Sequence, residues 1–84
     1  MARKIQNIIG HRLARARAGH YPRITQLALS EKETKIGTPI DRAGIAKIEN
    51  GMRGVLDYEL LALSRALVVD PVWLLTGRKA KKQS

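Results

Sequence analysis

Helix-breaking residues cut this chain into pieces too short to stand alone. Gly19, Tyr21-Pro22, Gly37-Thr38-Pro39, Asn50-Gly51, Asp70-Pro71 and Gly77 punctuate it, and between them apolar residues recur at helical rather than alternating spacing. Isolated helices below about 12 to 15 residues are marginal in water, so such segments persist only by packing apolar faces together. The pattern predicts an all-α domain of five short helices. No strand-like alternation survives, and phenylalanine is absent.

Ile5, Ile8, Ile9, Leu13 and Ala16 set a first helix from about residue 4 to 18. Thr25 caps a second helix that carries Leu29 and Ser30 and runs towards Lys35. Asp41 caps a third, with Ile45, Ile48 and the following Met52 on one side. Asp57 caps a fourth, whose Leu60, Leu61, Leu63 and Leu67 form a broad apolar stripe. Asp70 opens a fifth, with Pro71 at the first helical position, where a missing N–H is harmless. Trp73, Leu74 and Leu75 on that last helix read as core, with part of the segment open to a dimer interface. At 84 residues there is room for one modest core, burying roughly 60 to 65% of the unfolded surface. Residues 1–77 form the domain and 78–84 a flexible basic tail.

Sixteen Lys and Arg against seven Asp and Glu leave a net charge of +9. Clustered cations gain affinity for polyanions by releasing condensed counterions from phosphates. The excess lies at the two ends: Arg3, Lys4, Arg12, Arg15, Arg17 and Arg23 at one, Arg78, Lys79, Lys81 and Lys82 at the other. These segments serve either as arms that track a nucleic-acid backbone or as solubilising termini. There is no cysteine, hence no disulfide framework or thiolate metal site. His11 and His20 read as surface histidines, with no acidic pair at metal-ligand spacing. Ser30 and Ser64 lack a histidine base and the carboxylates are scattered, so neither enzyme chemistry nor a metal or other cofactor is expected. No segment has the apolar length of a membrane span or signal peptide. A soluble cytoplasmic, nucleoid-associated protein is expected.

Gly10, Arg12, Leu13 and Arg17, then Thr25-Gln26 with Leu29-Ser30, then Ile45, Ile48 and Glu49-Asn50-Gly51, and finally Ala66-Leu67 and Trp73-Leu74-Leu75 form an ordered set. Over residues 9 to 77 it resembles the helix-turn-helix DNA-binding domain of Cro and phage-repressor type, the lambda repressor-like family. The resemblance implies that the third helix enters the DNA major groove. Three positions depart from that pattern. The connection between helices 2 and 3 is lengthened across Thr34 to Ile40. Glu33 stands where the family places an apolar residue, and Val68 replaces the glycine after helix 4, which predicts an end without a left-handed cap.

At 100° per residue, Ala43, Ala46, Lys47 and Asn50 lie opposite Ile45 and Ile48, with Arg42 on the flank. Periodicity alone is served equally by a solvated surface helix. The resemblance implies base reading by Arg42, Ala43 and Lys47, and Ala46 shares their outward side: alanines permit close approach and touch a thymine methyl, while Arg42 has the fork for guanine. It also implies phosphate contacts from Gln26 and Asn50, and Thr25 at the start of helix 2 is expected to join them. Arg53 is added from its position and charge, with a solvated loop arginine as the alternative. A partly buried Arg17 to Glu49 bridge is implied as the fastening of the reading helix. Gly44, lacking a Cβ, is expected to let the second helix cross closely.

The expected function is a sequence-specific double-stranded DNA-binding regulator. It is read as a repressor of phage, mobile-element, restriction-modification or antitoxin type, binding a two-fold symmetric operator as a homodimer. With no sensor domain expected, regulation would come from concentration, partner binding or proteolysis. The alternatives are a protein-interaction module of the same fold, binding a toxin or another regulator, and a nonspecific nucleic-acid binder.

Overall fold

Side-chain caps start three helices where the sequence predicts them. The computed structural model describes residues 5–79 and arranges them as α1 (Gly10–Gly19), α2 (Gln26–Ile36), α3 (Arg42–Glu49), α4 (Asp57–Leu67) and α5 (Pro71–Thr76), with no strand among the described residues. The Thr25 hydroxyl accepts from the Ala28 N–H at 3.0 Å, Asp41 Oδ1 from the Gly44 N–H at 2.7 Å and Asp70 Oδ1 from the Val72 N–H at 2.9 Å. Each satisfies a first-turn donor that has no partner within its helix. The fold is all-α with five helices. No helix among the described residues is long and apolar enough to cross a membrane.

Three boundaries differ from expectation, each for a local reason. The first helix starts at Gly10 rather than near residue 4, which itself lies outside the described residues, as do Arg3, Lys81 and Lys82 of the basic ends. Asn7 Oδ1 accepts from the N–H groups of Ile9 and Gly10 at 3.0 and 2.7 Å and begins the helix there. Ile5 and Ile8, which extend the helical period in the sequence, stay exposed. In α4, Asp57 is the first helical residue and not the cap; Glu59 reaches back to take the Leu56 N–H at 3.0 Å.

The long helix 2 to helix 3 segment resolves into an α2 that continues through Ile36 and a connection from Gly37 to Asp41. Gly37 adopts φ 97°, and the Thr38 N–H closes on the Glu33 carbonyl at 3.0 Å. Ile40, inside that connection, is buried. The end of α4 overturns a further expectation: Val68 itself takes the left-handed cap conformation, φ 55° and ψ 48°. Its N–H bonds Arg65 O at 3.2 Å and the Val69 N–H bonds Ser64 O at 2.9 Å, closing the helix without a glycine.

Leu13, Leu29, Ile45, Ile48, Leu63, Leu67 and Leu74 bring all five helices into one core, joined by Ile9, Ile24 and Ile40 from the connections. Each fully buried aliphatic side chain contributes about 2 kcal/mol. Trp73 packs against this core. α2 lies on α3 and α4, α1 on α3, and α4 on α5. Glu33 of α2 is buried with them at 0% exposure, and neither of its carboxylate oxygens has a hydrogen-bond partner. Burial, and secondly the nearby charge of Glu59, push its pKa up to about 7.

Candidate nucleic-acid interface

α3 is held from beneath and behind. Ile45 and Ile48 are wholly buried, and Gly44 is buried beside them. A Cβ at Gly44 would meet Asp41 Oδ1 and Ile40 Cγ2, each at 2.9 Å. Glycine is therefore demanded by the helix's own capping turn, not by a close crossing of α2 as the sequence suggested. The glycine that permits a close crossing is Gly10: a Cβ there would run into the carbonyl oxygens of Ile48 and Glu49. α1 thus sits directly against the C-terminal turn of α3.

Glu49 completes the fastening. Arg17 donates Nε to Glu49 Oε2 at 2.7 Å and Nη2 to Oε1 at 2.9 Å, while Nη1 reaches the Ile24 carbonyl at 3.1 Å. Side-chain exposure is 17% for Arg17 and 7% for Glu49. The bridge implied by the resemblance is present, and parallel charge-assisted bonds of this kind fix orientation as well as energy. Gln26 adds a third donor, its Nε2 lying 3.0 Å from Glu49 Oε1. Its amide therefore braces α3. Any phosphate contact from the start of α2 falls to its unpaired first-turn N–H groups and the Thr25 hydroxyl beside them.

The solvent side of α3 is small and basic. Arg42, Ala43, Lys47 and Asn50 are exposed, and Ala46 is half-buried at the edge rather than fully outward. Neither the Arg42 nor the Lys47 side chain has a hydrogen bond or ion pair with another described residue. Two long cations therefore flank an alanine on a helix whose other side is locked, a shape that fits a major groove.

Arg53 has a different place from the one expected. Its Nη1 and Nη2 grip Glu59 at 3.1 and 2.9 Å, and Nη1 also donates to its neighbour's carbonyl, Gly54 O, at 3.1 Å. That hydrogen bonding holds the Glu59 carboxyl below the usual carboxylate range. Arg53 is a clamp between the loop after α3 and the start of α4. Three more polar anchors have no clear sequence signature. Arg12 donates Nε to Leu74 O at 2.8 Å and Nη2 to Leu75 O at 3.0 Å, capping α5. His20 Nε2 lies 2.6 Å from Leu67 O, tying the end of α1 to α4 instead of standing at the surface. Asn7 bonds the end of α3. Of the basic opening segment, Arg12 and Arg17 are structural, leaving Arg15 and Arg23 exposed.

No protein-family model, curated protein or solved structure matches this chain.

Proposed function

We propose that the protein is a sequence-specific double-stranded DNA-binding regulator of the repressor type, without enzymatic activity, that inserts α3 into the major groove. One observation carries this reading: α3 is immobilised by core burial and by Glu49, yet leaves Arg42, Ala43 and Lys47 exposed and unengaged. Arg42 reads guanine through its two N–H groups, a contact worth about 1 to 3 kcal/mol of discrimination. Lys47 takes a guanine edge or a phosphate. Ala43, with Ala46 at the margin, lets the backbone approach and offers a methyl surface to thymine. Thr25, the first N–H groups of α2 and Asn50 contact phosphate and set the register.

A single such module touches few base pairs, so the working unit is a two-fold homodimer on paired half-sites. Exposure of 72% at Ile5 and 68% at Ile8 favours a protein contact close to the reading helix. It also keeps a second reading in view, an interaction module that binds a toxin or another regulator through that apolar surface.

Selection from a randomised duplex pool at several salt concentrations tests these readings. An enriched two-fold symmetric site supports the regulator. A steep salt dependence without enrichment makes the chain a nonspecific binder, and no binding near physiological salt leaves the interaction module.

A further inference from the structure

We infer that Asn7, which precedes α1, is a positioning residue for base recognition: its amide ties the end of α3 to the start of α1 and so sets the angle at which Arg42 and Lys47 are presented. This rests on the DNA-reading function proposed above. The last carbonyls of a helix have no partner within it. Asn7 Nδ2 donates to Ile48 O at 3.0 Å, a carbonyl that also takes the Gly51 N–H at 3.0 Å, and with its other hydrogen reaches Arg53 O at 2.8 Å. The two carbonyls stand on either side of the Asn50-Gly51-Met52 turn, so the amide spans it from outside, in addition to the backbone bond of the Met52 N–H to Lys47 O at 2.8 Å. The amide oxygen meanwhile accepts from the N–H groups of Ile9 and Gly10. Both donors and both lone pairs of the side chain are in use.

Two neighbouring features act on the same joint. The Gln6 N–H donates to Gly51 O at 2.9 Å, and the absence of a Cβ at Gly10 lets α1 close on Ile48 and Glu49. Arg17, towards the far end of α1, grips Glu49. The C-terminal turn of α3 is therefore tied from both ends of α1, at the Ile48 carbonyl and at the Glu49 carboxylate, and two ties oppose tilting where one would act as a pivot. At 1.5 Å per residue Arg42 lies about 10 Å from this joint, so a tilt of roughly 10° moves it by about 2 Å. Paired hydrogen bonds to a guanine edge do not survive that displacement.

Asn7→Ser separates the clamp from the cap, because a serine hydroxyl still accepts first-turn N–H groups but carries no amide to span Ile48 and Arg53. The measurement is the ratio of affinities for the duplex selected by the wild type and for a scrambled duplex at the same salt, with melting temperature recorded alongside. Mere destabilisation lowers both affinities together and leaves the ratio unchanged. The expected result is a loss of about tenfold on the selected duplex and little change on the scrambled one, whose binding is electrostatic. Wild-type selectivity in Asn7→Ser overturns the role of Asn7. A wild type without selectivity overturns the DNA reading and this inference with it. If Asn7→Ser does not fold, Asn7→Asp decides: it keeps an oxygen to accept the Ile9 and Gly10 N–H groups but removes the Nδ2 donors to Ile48 and Arg53, and a reduced ratio supports the clamp while an unchanged ratio overturns it.

Discussion

Arg17 and Glu49 join α1 to the C-terminal turn of α3 through two parallel hydrogen bonds of 2.7 and 2.9 Å, with the carboxylate almost entirely out of water. Removing one member of such a pair leaves the other desolvated and unpaired, which destabilises more than the pair itself stabilises. Because the arginine keeps some contact with solvent, Glu49→Ala is expected to cost about 2 kcal/mol. Thermal melting and DNA titration should fall together. Reduced affinity at an unchanged melting temperature would place Glu49 at the DNA instead of in the scaffold.

Glu33 makes the opposite prediction. Its carboxyl has a folded pKa of about 7 against an ordinary value of 4.5, so the folded state binds the extra proton between those limits. Stability therefore falls as pH rises from about 4.5 to 7 and levels off above, a decline of about 3 kcal/mol at 1.36 kcal/mol per pKa unit. Glu59, whose pKa is lowered by Arg53, acts in the other direction. Its contribution is complete above its ordinary value and is lost in more acid solution. From these two groups the wild type is most stable in mildly acid buffer. Glu33→Leu should raise stability at pH 8 by about 3 kcal/mol and flatten the decline above pH 4.5. Denaturant titrations across pH 4 to 9 check this, and an unaltered profile in Glu33→Leu would exclude Glu33 as its source.

Val68 holds a left-handed backbone with 84% of its side chain exposed, so a β-branched residue bears the strain while contributing little packing. Val68→Gly should stabilise the protein by about 1 kcal/mol, the steric relief exceeding glycine's entropic disadvantage. A rise in denaturation midpoint at constant slope is the expected signature. A lower midpoint would mean that packing by the valine outweighs its strain.

What the sequence could and could not reveal follows the distance over which each feature acts. Thr25, Asp41 and Asp70 cap helices three residues or fewer ahead, and their roles are legible from local order alone. Ile45 and Ile48 are equally plain, because helical period decides which way they face. Ile5 and Ile8 mislead for the same reason: they fit the period but precede the residue that starts the helix. The Arg17 bridge is implied by resemblance and not by periodicity. Asn7 was not reached at all, since its acceptors lie 41 and 46 residues away and only tertiary folding brings them near. The clamp role of Arg53 is hidden in the sequence, because a loop arginine and an ion-pair clamp look alike until Glu59 is placed beside it. Glu33 is legible as an oddity, a charge at an apolar position, while its burial without a partner required the packed core.

Base selection by Arg42→Ala tests the central claim most directly. Parallel selections on one randomised duplex pool, with wild type and variant, yield a preference at every position. If α3 reads DNA through Arg42, the variant loses its preference at one base pair of each half-site, at a cost of about 1 to 3 kcal/mol, and keeps it elsewhere. A uniform loss of affinity with every preference intact would contradict that role and make Arg42 a phosphate contact.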